Sequence, residues 1–290
     1  MIRTLTILLI ASMALIGQSV ANADTTPEQK AVLVTGASSG LGRVMAETMA
    51  ANGYFVYAGA RKDKDLEELS AIENIQGVRL DVNKQDQIDA AVKTISDAGR
   101  GLYGLVNNAG VVVAQPLIEI EEEDFDFQMN VNVYGPYRVT RAFAPQIIES
   151  KGRISIIGSI SGTLSSATWG PYSMTKFAME AYADALADEM KSFGVHVSLI
   201  EPGAYRSNIG KSALERMAEK GQSTDDSQLK EAMDQTVNWL SMFEKEQGDP
   251  SEVAAAVMKA LFDDDPKPRY LTVPTQEQAY WTINRAIERM

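Results

Sequence analysis

Residues 30–51 read KAVLVTGASSGLGRVMAETMAA. Residues 31–35 are apolar and β-prone, Gly36, Gly40 and Gly42 crowd the next stretch, and residues 43–51 are helix formers, so the segment reads as strand, glycine turn, helix. Residues 53–57 then start a second strand. Further short apolar runs follow at 78–80, 102–106, 154–157 and 195–200, separated by helical stretches at 85–98, 133–150 and 172–191. Such runs, apolar on both sides, suit a parallel sheet covered by helices on each face. Asp249 and Pro250 open another helix over 252–261, and 270–273 reads as a last strand. The expectation is an α/β, doubly wound parallel sheet.

The chain has 290 residues, 45% of them hydrophobic and 23% charged, enough to bury one large core. One domain over 30–290 is the economical reading. The formal net charge is -12, with acids gathered at 119–126 and 263–265, where they read as solvated surface; nucleic acid does not fit as a partner. Cysteine is absent, so disulfides and thiolate metal sites are impossible, and the single histidine, His196, reads as structural at the start of an apolar strand; no metal is expected. Residues 206–248 break the rhythm with apolar anchors Leu214, Met217, Leu229, Met233, Val237, Trp239, Leu240, Met242 and Phe243. They read as helices beyond the carboxyl edge of the sheet, either a substrate cover or an inert packed insertion.

The first residues, MIRTLTILLIASMALIGQSVANA, carry one arginine, an apolar run over 5–16 and the small-x-small triplet Ala21, Asn22, Ala23. This patterning predicts a secretory signal peptide over 1–23, cleaved before Asp24 to leave an exported, periplasmic protein. An uncleaved inner-membrane anchor and an amphipathic packing helix on a cytoplasmic protein are the alternatives.

A glycine turn between a first strand and a first helix lets the backbone approach a pyrophosphate at the helix N-terminus. Here three residues separate Gly36 from Gly40 and one separates Gly40 from Gly42, the wider form of that turn. Asn107, Asn108, Ala109 and Gly110 close the fourth strand with compact residues, and Asp81 ends the third, where its carboxylate suits an adenine amine. The second strand ends YAGARK over 57–62. No acid stands there to hold a ribose 2′-hydroxyl, and Arg61 and Lys62 favour a 2′-phosphate, so NADP(H) is expected over NAD(H). The alternative has Arg61 stacking on adenine and Lys62 facing water.

Tyr172 and Lys176 stand four residues apart on one face of a helix. A phenol ordinarily keeps its proton to about pH 10, and a fixed ammonium beside it is expected to favour the phenolate. Together these segments resemble the short-chain dehydrogenase/reductase family: TGASSGLG at 35–42 is similar to its TGxxxGxG, NNAG at 107–110 matches its second motif, and Tyr172 with Lys176 forms its YxxxK. The resemblance runs over about 30–273 and implies a Rossmann-like fold with NAD(P)-dependent alcohol/carbonyl chemistry. Through it, Asn132 in MNVNVYG corresponds to a structural and proton-relay asparagine, Ser159 to the substrate-orienting serine, Tyr172 to the acid/base and Lys176 to its electrostatic partner. Cofactor contacts are implied for Gly36, Ser38, Ser39, Gly40, Leu41 and Gly42, for Arg61, Asp81 and Val82, for Asn108, Ala109 and Gly110, for Tyr172 and Lys176, and for Pro202, Gly203 and Ser207. Tyr205 and Arg206 are expected beside the cleft. The Met- and aromatic-rich 206–248 segment points to an apolar alcohol or ketone, though Arg206 leaves room for a carboxylate. The resemblance also implies a homodimer or homotetramer. The competing function is a catalytically silent dinucleotide-binding sensor or scaffold.

Overall fold

The computed structural model describes residues 29–242 and 247–288. The leader at 1–23 and the anchor Phe243 lie outside the described residues. Seven strands, β1 (Ala31–Val34), β2 (Phe55–Ala60), β3 (Ile75–Arg79), β4 (Gly104–Asn107), β5 (Arg153–Ile157), β6 (His196–Pro202) and β7 (Arg269–Thr272), form one sheet in the order β3-β2-β1-β4-β5-β6-β7, every neighbouring pair parallel. The chain winds outward from β1 to β3, then returns to β4 on the other side of β1. This switch point opens a crevice at the carboxyl ends of β1 and β4, where an open α/β sheet takes its ligands.

Among the described residues ten α-helices accompany the strands: α1 (Gly40–Ala51), α2 (Asp63–Ser70), α3 (Gln85–Asp97), α4 (Glu122–Met129), α5 (Gly135–Glu149), α6 (Gly170–Lys191), α7 (Ile209–Glu219), α8 (Lys230–Ser241), α9 (Ser251–Phe262) and, after the last strand, α10 (Gln276–Glu288). Alternate residues of each strand face opposite sides. Leu33, Tyr57, Leu105, Ile154 and Leu199 pack against Ile88 and Ile95 of α3, Phe143 of α5 and Met179 of α6. Val32, Val34, Val106 and Ile200 pack on the other side against Met45 and Met49 of α1 and Val253 and Val257 of α9. The doubly wound, Rossmann-like reading is therefore what the chain adopts.

The structure departs from the sequence reading where polarity misleads. Helices α2, α4 and α10 were not expected. The acid run at 119–126 is not all solvated surface, because Asp124 on α4 is wholly buried. Its Oδ1 accepts from Arg216 Nε at 3.0 Å and Lys220 Nζ at 2.9 Å, and its Oδ2 from Gln222 Nε2 at 3.0 Å. These donors belong to α7 and the turn after it, so that part of the 206–248 stretch is clamped to α4. Glu119 adds to the clamp by accepting from Ser227 Oγ at 2.7 Å. Within the segment Met233 and Leu240 are buried as expected, while Leu229 is 40% exposed. No described helix is long and apolar enough to cross a membrane.

Candidate active site

The turn from Gly36 to Gly42 sits over the switch point. Gly36 has φ +66, and a Cβ on it would stand 2.9 Å from Ala109 Cα; one on Gly42 would overlap the Gly36 carbonyl oxygen. Thr35 and Asn108 hold the turn in place. Thr35 Oγ1 accepts the main-chain N–H groups of Asn108 and Ala109 at 3.0 Å each, and Asn108 Nδ2 donates to Thr35 O at 2.8 Å. Asn108 thus brackets the turn, with its amide committed to protein. Ser39 is the N-cap of α1 but caps none of its N–H groups with its side chain, so the first turn keeps donors for an anion. This close-packed backbone with a donor-rich helix end fits a dinucleotide pyrophosphate. Ser38 and Leu41 lie on the same turn.

Around it the other expected cofactor positions assemble. Arg61 follows β2 and is exposed; its main-chain oxygen accepts from Arg79 Nη1 at 2.6 Å, while Arg79 also pairs with Asp63. Asp81 Oδ1 accepts the N–H of Asn83 at 3.0 Å, forming a local turn, and Val82 is buried against Gly135 at the start of α5. Gly110 lies against Asn132, whose Oδ1 stands 3.5 Å from where a Gly110 Cβ would be. Pro202 ends β6, and the N–H of Gly203 donates to Thr272 O at 2.7 Å. Ser207 packs on the glycine turn, its Cβ 3.0 Å from the position of a Gly40 Cβ. Sequence reasoning missed Gln278 of α10, whose Oε1 covers Gly203 and accepts from Ala204 N at 3.4 Å.

The chemical end is built from α4, β5 and α6. Between α4 and α5 the helix widens into a π turn, Asn130–Tyr134, a distortion frequent at functional sites. It carries Asn132, which takes Val111 N on Oδ1 at 2.8 Å and gives Nδ2 to Val111 O at 2.9 Å and to Thr175 Oγ1 at 3.1 Å. Ser159 is the N-cap of a short 3-10 turn, Ile160–Gly162, and accepts from Ser161 N. On α6, Lys176 Nζ donates to Ile157 O at 2.9 Å and stands 5.6 Å from the centre of the Tyr172 ring. Ser159, Tyr172 and Lys176 are all buried.

Burial corrects the expected ionisation. It pushes the Tyr172 phenol up to about 12, against the opposing hydrogen bond with Ser159, and pushes Lys176 down to about 8, against the nearby Glu180 carboxylate. Tyr172 therefore holds its proton at neutral pH, and the lysine charge does not make a resting phenolate.

An apolar wall stands beside Tyr172. Val112, Ala114, Tyr172, Ala213 and Leu240 form one cluster, with Trp169, Ile209 and Leu214 packed against it. Trp169 meets Tyr172 edge to face at 5.9 Å between ring centres, and Trp239 meets Trp169 in the same way at 4.8 Å. The wall is fixed by Thr168, which takes φ +66 and shares a 2.6 Å hydrogen bond with Thr236 of α8. That left-handed backbone is rare for threonine, whose short side chain gives little sequence warning of it. Tyr205 and Arg206, expected beside the cleft, are not part of this wall. Tyr205 is buried in the α9 core and donates to Glu252 Oε2 at 2.8 Å, while Arg206 is turned toward Asp249 at 3.7 Å. Among the described residues no group of three or more Asp, Glu or His side chains is arranged to hold a metal ion.

Residues 30–218 match the family model described as short chain dehydrogenase, and the chain belongs to that family of NAD(P)-dependent oxidoreductases. Bovine (Bos taurus) mitochondrial D-beta-hydroxybutyrate dehydrogenase is 37% identical over 186 residues, 61% of this chain and 54% of that protein, so the match spans about half the length of that relative. Retinol dehydrogenase 7 of Mus musculus is 34% identical over 223 residues, 75% of this chain and 70% of its own. Among solved structures, the alcohol dehydrogenase of Thermococcus sibiricus complexed with 5-hydroxy-NADP is 25% identical, covers 86% of this chain and 97% of its own, and superposes with a TM-score of 0.68.

Proposed function

We propose that the protein interconverts an apolar alcohol and its ketone or aldehyde using NADP(H), with Tyr172 as the acid/base. The observation that carries this reading is the Tyr172 phenol set into the wall of Trp169, Leu240 and Ala213 while Ser159 and Lys176 flank it. A polar substrate would lose water there with little in return, whereas an apolar body gains burial and leaves its one oxygen to Ser159 and Tyr172. The retinol dehydrogenase similarity is in keeping with that chemistry.

The cofactor supplies or accepts the hydride. The glycine turn and the N-terminus of α1 would hold its pyrophosphate, and Arg61 with Lys62 a 2′-phosphate. Tyr172, protonated at neutral pH, gives its proton to the carbonyl oxygen in reduction and takes it back in oxidation. Ser159 holds the same oxygen, and Lys176 favours the phenolate as it forms. Asn132 spends its side-chain amide on Val111 and Thr175, so its part in a proton path falls to its main chain.

Assembly into at least a dimer and export by the leader at 1–23 belong to the same proposal. Tyr134 at the end of the π turn, Tyr137 on α5 and Met174 on α6 are exposed, as a helix-paired contact between copies requires. The function is tested by following NADPH absorbance over a panel of alkyl, aryl and polycyclic ketones and aldehydes. Turnover rising with apolar size supports the reading, and tight NADPH binding with no turnover on any of them would favour the sensor alternative.

A further inference from the structure

Tyr172 and Lys176 are followed on the same face of α6 by Glu180, one further turn along. Glu180 is directed inward: its Oε1 is buried without a hydrogen-bond donor, and a Cβ on Gly162 would stand 2.7 Å from that oxygen and 3.1 Å from Lys176 O. Its carboxyl thus lies beneath the turn that Ser159 begins. Across from it is Glu201 of β6, on the same side of the sheet as Leu199 and only 7% exposed, with its carboxyl against that of Glu180.

The charges around this pair do not balance if both acids are ionised. From α6 come Lys176, Glu180 and Asp184, from β6 Glu201 and from β7 Arg269; the turn Ile160–Gly162 brings none. Arg269 sends Nε to Glu180 Oε2 at 3.2 Å and Nη2 to Asp184 Oδ1 at 2.8 Å, so its directed bonds are spent on the acids of α6. Lys176 gives its hydrogen bond to Ile157. Two carboxylates in contact and largely withdrawn from water disfavour double ionisation, and a proton held between them supplies the donor that Glu180 Oε1 otherwise lacks.

We propose that Glu180 and Glu201 share one proton and, through Lys176 and the Ser159 turn, act as positioning residues that set the pH range of the reaction at Tyr172. The inference rests on the oxidoreductase reading for its kinetic consequence but not for the shared proton itself. Burial and the neighbouring Glu180 hold Glu201 up at about 7, and burial also raises Glu180. Losing the proton places a second negative charge behind Lys176, which keeps the lysine an ammonium to higher pH.

The test uses the full chain with glutamate labelled at its carboxyl carbon, titrated by infrared difference spectroscopy from about pH 5 to about pH 9. A protonated-carboxyl stretch is expected on the acid side, fading with a midpoint near neutrality and absent from Glu201→Gln, whose amide donates to Glu180 as the shared proton does. Melting temperature gives a second measurement. A carboxyl raised on folding stabilises fully below its unfolded value and loses that stabilisation as pH rises to its folded value. The native protein should therefore lose melting temperature between about pH 4.5 and about pH 7 beyond any loss in Glu201→Gln. For NADPH turnover of the best ketone of the panel, the native protein should show an inflection of kcat/KM near neutral pH that Glu201→Gln lacks. A merely structural pair would lower kcat without moving that inflection. Absence of the carboxyl stretch from the native protein on the acid side, or superimposable pH profiles for the two proteins, would overturn the proposal. Should no ketone be turned over, the infrared and melting measurements still decide the shared proton while the functional reading fails separately.

Discussion

Lys176 Nζ donates to the main-chain oxygen of Ile157 at 2.9 Å, pinning the lysine to the end of β5 two residues before Ser159. That hydrogen bond ties helix α6 to the strand that leads into the serine turn, beside the close approach of Gly162 to α6. Asn132 fixes the other side by joining the π turn to Thr175 of α6. The centre is a frame of side-chain hydrogen bonds, one to the main chain of β5 and one between the π turn and α6, that holds Ser159, Tyr172 and Lys176 in place.

Cofactor preference should follow Arg61. Replacing it by Ala is expected to weaken NADPH binding about tenfold, the scale of one lost charge-assisted hydrogen bond, while leaving NADH nearly unchanged. Fluorescence titration of both cofactors measures the difference; equal affinities for the two in the native protein would contradict the preference.

The Asp124 clamp should be worth measuring as stability. Burial pushes this carboxyl up, but hydrogen bonds from Lys220, Arg216 and Gln222 outweigh it and hold the group below the usual carboxylate range. Its folded value lies below its unfolded one, so its contribution is present above the ordinary carboxylate range and is lost as pH falls through the depressed value. Asp124→Ala is expected to cost about 3 kcal/mol at neutral pH, the low end for a broken buried pair, because Arg216 and Lys220 keep side-chain exposures of 26% and 27%. Urea unfolding at neutral and acid pH reads both the loss and its convergence with the native protein in acid.

Assembly is checked by sedimentation. At least a dimer is expected, weakened by a charged substitution at the exposed Tyr137. A lone species of 31.6 kDa, or its processed form, would contradict it.

Export is checked by N-terminal mass spectrometry on fractionated host cells. A mature chain beginning at Asp24 outside the cytoplasm is expected. An intact Met1 chain in the soluble cytoplasm defeats the proposal, and an intact chain in the membrane fraction selects the anchor.

The fold was legible because its evidence is local. A run of apolar residues, a glycine turn and a helix former need no distant partner to be read, and Thr35 to Gly42, Asn107 to Gly110 and Tyr172 with Lys176 each carry their own spacing. What was hidden depends on partners far along the chain. Asp124 looks like surface until Arg216 and Lys220 are brought to it, and Tyr205 looks like a cleft residue until Glu252 takes its hydroxyl. The Tyr172 ionisation is hidden for the same reason: the neighbouring lysine is local, but the burial that raises the phenol comes from Val112 and Ala114, Ala213 of α7 and Leu240 of α8, which stand far from it along the chain.

The most direct test of the central claim is Tyr172→Phe, assayed by NADPH absorbance with the best ketone of the panel. The ring keeps its packing against Trp169, so the variant should fold, and NADPH titration separates any lost cofactor contact from the chemical step. Loss of the proton donor should lower kcat about a hundredfold or more with little change in KM. Undiminished turnover in the folded variant would contradict Tyr172 as the acid/base.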